Sequence, residues 1–124
     1  MILHQVAQHV DDLDRAIAFY SWLLGEPPIA TFDPPGLSFF GLGDTRLLIE
    51  RGAPSALIYL RVDDVRATIE QLRADGVIIA DEPHVIFADD TGMFGQAGAE
   101  EWMAFITDSE GNLVGLASQN LPAG

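Results

Sequence analysis

The chain has 124 residues, 48% of them hydrophobic, which is enough for one compact domain with a real core and too short for two ordinary domains. With 19 acidic against 6 basic residues the formal charge is −13, a balance that repels phosphate backbones and anionic lipid and so argues against nucleic-acid and membrane partners. No apolar run nears the ~18 residues of a bilayer span, "MILHQVAQHV" lacks the marks of a signal peptide, and the absence of cysteine removes disulfides and thiolate chemistry while fitting a reducing cytoplasm.

The first predicted element is the strand "LHQVAQHV". Alternation puts Leu3, Gln5, Ala7 and His9 on one face and His4, Val6, Gln8 and Val10 on the other. A helix follows over residues 10–25. Asp11 or Asp12 caps it, Leu13, Ile17, Tyr20 and Leu24 form its buried stripe, and Gly25 stands where a left-handed residue ends a helix. Phe19, Tyr20 and Trp22 are read as packing residues. Three strand candidates complete this half: "PIATF", "LSFFGL" and "TRLLIE".

The same order then repeats. Val10, Asp11, Asp12 and Leu13 lie over Val62, Asp63, Asp64 and Val65, and Ile17 lies over Ile69. The strand "ALIYLRV" precedes a helix capped by Asp63 or Asp64, with the stripe Val65, Ile69 and Leu72 and a stop at Gly76. The strands "VIIADEP", "HVIF", "EWMAFIT" and "NLVGLAS" follow, and residues 89–100 form the longest stretch without regular structure, the kind that is usually either disordered or a functional lid. Its "FADDTG" segment lacks the ligand spacing of a calcium loop. No phosphate loop, serine-nucleophile motif or H-E-x-x-H pattern is present.

The paired halves, with "HVDDLDRAIAFYSWLLGEPP" early and "WMAFITDSEGNLVGLAS" late, resemble the vicinal oxygen chelate superfamily of glyoxalase I, bleomycin resistance proteins, methylmalonyl-CoA epimerase and extradiol dioxygenases. The resemblance implies an α+β fold of two βαβββ modules, residues 1–52 and 53–124, forming half-barrel sheets around a cavity. It also implies a small-molecule ligand and a homodimer. In metal-using relatives, four side chains from the first and last strands of the modules hold the metal. Those positions fall here at Gln5, Glu50 (or Leu48, on the same face), Leu57 and Gly115.

Leucine and glycine offer no ligand atoms, so the four-ligand site is expected to be degenerate and no cofactor is assigned. The expected function is a small-molecule-binding or enzymatic domain, with Gln5, His9, Glu50, Tyr59, Arg61 and Trp102 as ligand contacts; whether it is catalytic stays open at this point. An inward Arg61 would anchor an anion such as a carboxylate, or else pair with nearby aspartates. One alternative is a metal-dependent lyase, isomerase or dioxygenase whose divalent ion uses His84 and Glu101. Another is a non-catalytic protein that sequesters a drug or metabolite.

Overall fold

A computed structural model describes residues 1–109 and 111–122. The chain divides into a first unit, Leu3–Ile58, and a second made of Met1–Ile2 with the chain from Tyr59 onward. The first contains β1 (Ile2–His9), α1 (Leu13–Leu24), β2 (Ala30–Phe32), β3 (Leu37–Leu42) and β4 (Thr45–Glu50). Its strands lie in the order β2-β3-β4-β1, with β1 parallel to β4 and the other pairs antiparallel. The second contains β5 (Leu57–Arg61), α2 (Val65–Ala74), β6 (Ile78–Asp89), β7 (Ala99–Thr107) and β8 (Leu113–Asn120). Their order is β5-β8-β7-β6, again with one parallel pair, β5 with β8. Two βαβββ modules of the expected α+β type result.

Both helices start as the sequence predicts. Asp12 accepts the Arg15 amide at 3.0 Å and Asp64 accepts the Arg66 amide at 2.9 Å, each satisfying one of the amides that a helix leaves without an internal partner. Gly25 ends α1 in the left-handed region at φ 73°. Each helix seals one face of its own sheet. Leu13 of α1 packs with Phe40, Leu47 and Ile49, joined by Ile17, Tyr20 and Leu24. Val65 and Ile69 of α2 pack with Ala104 and Leu116, joined by Leu60, Leu72, Trp102 and Ile106. Strand alternation sends the intervening residues to the helix-free face. In the first module these are Gln5, Ala7 and His9 with Arg46, Leu48 and Glu50, and in the second Tyr59 and Arg61 with Gly115, Ala117, Glu101, Met103 and Phe105.

Three details differ from the sequence reading. Phe19 and Trp22 do not enter the core: they are exposed on α1 and pack against each other, because Leu13, Ile17, Tyr20 and Leu24 already fill the inward stripe. "VIIADEP" and "HVIF" are one strand, β6, whose register slips at three places. It lies at the sheet edge, where such slips and Pro83 cost few ladder bonds. The loop after β6 is ordered by Asp89. This buried carboxylate accepts the amides of Met93 at 2.7 Å and Phe94 at 2.9 Å, and the Gly98 amide bonds the Asp89 carbonyl at 2.8 Å.

Ile69 is fully buried at the centre of the second core. Ile69→Ala is expected to lower unfolding free energy by about 2–4 kcal/mol in denaturant titration, since the cavity adds to the lost transfer energy. A loss below about 1 kcal/mol would show that α2 contributes little to this module.

Candidate functional site

In the first module the helix-free face is built where β1 runs beside β4, with Gln5 opposite Arg46, Ala7 opposite Leu48 and His9 opposite Glu50. Arg46 organises one end. Its Nε donates to Gln5 Oε1 at 3.1 Å, its Nη2 donates to His4 Nε2 at 2.9 Å, and its guanidinium lies 5.3 Å from the centre of the Phe39 ring. Gln5 is almost completely buried and His4 nearly so.

Alternation separates the His4 and Gln5 side chains, and the long Arg46 side chain reaches both. Sequence reasoning missed Arg46 because its role depends on a parallel register between strands some forty residues apart. An arginine beside the apolar run Leu47–Ile49 of "TRLLIE" was the available signal.

At the other end, His9 is exposed and its Nε2 lies 2.9 Å from Asp11 Oδ1. The hydrogen bond to Asp11 raises its pKa above the ordinary value. Glu50 is half-buried on the adjacent strand, and desolvation raises its carboxyl pKa.

The second module presents two cross-strand rows on its helix-free face. Tyr59, Gly115 and Phe105 form one, and Arg61, Ala117 and Met103 the next. The Tyr59 ring lies directly over Gly115, so that a methyl group added at Gly115 would overlap it, and it meets the Phe105 ring edge-on at 5.7 Å. Tyr59 and Met103 are buried while Phe105 and Arg61 are partly exposed. Trp102 stands on the opposite face from Glu101 and Met103. There it joins the α2 core, with the Arg66 guanidinium 4.3 Å from its ring centre. The one-residue alternation of β7 decides this, and places Trp102 away from the other ligand-contact candidates.

The four family positions do not fit a metal. The Gln5 carbonyl oxygen, its only ligand atom, already accepts from a guanidinium, and a cation there would meet that positive charge. Leu57 is apolar, and the space beside Gly115 holds the Tyr59 ring. Glu50 alone remains. Of the alternative pair, Glu101 is buried, whereas His84 is exposed with its Nδ1 2.9 Å from the Glu82 carbonyl oxygen. The two share a face but lie opposite Phe87 and Met103 respectively, one diagonal step apart. Among the described residues no three His, Asp or Glu side chains gather as a metal site would require.

Glu50 gives a pH prediction. Its raised folded-state pKa means that ionisation costs stability, a cost absent below the unfolded pKa and complete above the folded one. Glu50→Gln is therefore expected to raise Tm at neutral pH, and the gain should shrink as pH falls through the carboxylate range. A gain that grows on acidification would contradict the desolvated carboxylate.

Residues 2–116 match the Glyoxalase/Bleomycin resistance protein/Dioxygenase superfamily. A search of the curated proteins returns no match. Among solved structures, a variant of Streptomyces coelicolor methylmalonyl-CoA epimerase in complex with 2-nitronate-propionyl-CoA is similar at TM-score 0.67 and 17% identity, covering 99% of both chains. A glyoxalase/bleomycin resistance protein/dioxygenase superfamily member from Vibrio splendidus 12B01 is similar at TM-score 0.63 and 12% identity, covering 91% of this chain and 94% of that one. A Legionella pneumophila protein described as an NAD-dependent benzaldehyde dehydrogenase is similar at TM-score 0.64 and 15% identity, covering 94% and 98%. At these identities the likeness concerns the fold. The match across nearly the whole sequence, on two βαβββ modules, makes this chain a member of the glyoxalase/bleomycin resistance/dioxygenase superfamily.

Proposed function

We propose that the protein is a small-molecule-binding domain that holds its ligand without a protein-bound metal ion. The observation that carries this reading is the Tyr59 ring lying over Gly115, in the space a closing carboxylate ligand would need. Arg46 on Gln5 and the apolar Leu57 support it from two more of the four positions. On the helix-free face of the first module the candidate ligand contacts are Gln5, His9 and Glu50; on that of the second, taken by itself, they are Arg61 and Tyr59. The reading includes the homodimer and the cytoplasmic setting expected from the sequence. Binding is the core of the proposal, and product analysis after incubation with a bound ligand decides whether a reaction follows.

Metal analysis of protein purified without an affinity tag tests this directly. Metal is expected well below one ion per chain, with Tm unchanged by chelator and by added zinc, nickel, manganese or iron(II). Stoichiometric metal lost on His84→Ala or Glu101→Gln would overturn the reading in favour of the rearranged metal enzyme. Stoichiometric metal that survives both substitutions would overturn it as well.

A further inference from the structure

We infer that Arg61 is the anchor for a monocarboxylate whose apolar or aromatic body rests on the partly exposed Phe105 ring. This deepens the metal-free reading and rests on it.

The first observation concerns the other arginines. All six basic residues are arginines. Arg46 bonds Gln5 and His4, Arg51 pairs with Asp33, Arg66 with Asp64, and Arg73 with Glu70 and Glu82. Arg15 and Arg61 have no side-chain hydrogen bond or ion pair among the described residues. Arg15 is exposed on α1, where water satisfies it. Arg61 is partly buried. Pairing with neighbouring aspartates was the alternative foreseen for it, yet Asp64 is taken by its helix cap and by Arg66. A partly desolvated guanidinium without a carboxylate, in a chain with 19 acidic residues, is a free-energy cost that an anionic ligand would offset.

The second observation is the setting. Arg61 lies on the helix-free face beside Ala117 and Met103, one row from Tyr59, Gly115 and Phe105. Ala117, Met103 and Tyr59 are buried and apolar or aromatic, and the partly exposed Phe105 ring stands edge-on to Tyr59. A guanidinium at the margin of such a patch acts in a lowered dielectric, and its planar fork matches a carboxylate with two parallel bonds. The charge of the chain selects the class of anion. A net charge of −13, with Glu101 on the same face, disfavours phosphates and dicarboxylates more than it disfavours a single carboxylate.

The test is calorimetric titration of the full chain with benzoate and phenylacetate, and with the neutral benzamide and phenylacetamide, in the presence of chelator. Millimolar or tighter binding of a carboxylate is expected, with its amide weaker by roughly tenfold or more. Arg61→Gln should weaken the carboxylate by roughly tenfold to a hundredfold, down to the affinity of the amide. Arg61→Lys should recover part of that loss, and Arg15→Gln should change nothing. Thermal melts of each variant confirm that the comparison is between folded proteins. Equal affinity for acid and amide, unchanged carboxylate binding in Arg61→Gln, or no binding of either acid at millimolar concentration with chelator or with a divalent metal would overturn the inference. Arg61-dependent carboxylate binding that appears only when a divalent metal replaces the chelator would overturn the metal-free reading and leave the anchor standing.

Discussion

Each module depends on a single helix sealing one face of a four-stranded sheet. The side chains of α1 and α2 commit the even or odd positions of every strand they cover, and pleating commits the rest to the other face. No strand can then slip by one residue without moving its apolar set out of the core. The chemistry of the helix-free faces is thus a by-product of helix packing: Gln5, Arg46 and Glu50 share a face because Leu47 and Ile49 are held beneath α1. Arg61 and Tyr59 share theirs because Leu60 is held beneath α2.

That dependence explains what was legible in the sequence. Helix caps and stripes are local, so Asp12, Gly25, Asp64 and Ile69 declare themselves within one or two turns. The period of two gave the faces of β1, including the place of Gln5, and the internal repeat gave the module order. What stayed hidden needed long-range register. The Arg46 bonds to Gln5 and His4 join strands distant in sequence. The position of the Tyr59 ring over Gly115 depends on β5 running parallel to β8. β6 looked like two strands because Pro83 and neighbouring acids interrupt the pattern, and nothing local says that an edge strand absorbs the interruption with bulges. Trp102 joins the α2 core and not the face of Glu101 and Met103, a choice between faces that no local pattern in the strand makes.

The Asp89 clamp has a consequence for dynamics. The loop from 90 to 98 begins and ends at paired residues, since Asp89 and Ala99 face each other across β6 and β7. Its closure is therefore set by the strand pair, and the chain between loses little further entropy on ordering. Gln119 of β8 reaches the loop as well, with its Nε2 3.4 Å from the Phe94 carbonyl. The Met93 and Phe94 amides consequently report on three strands at once. In hydrogen exchange they should open together with the β6 edge rather than as an independent flap, which makes this loop a sentinel for the integrity of the second sheet.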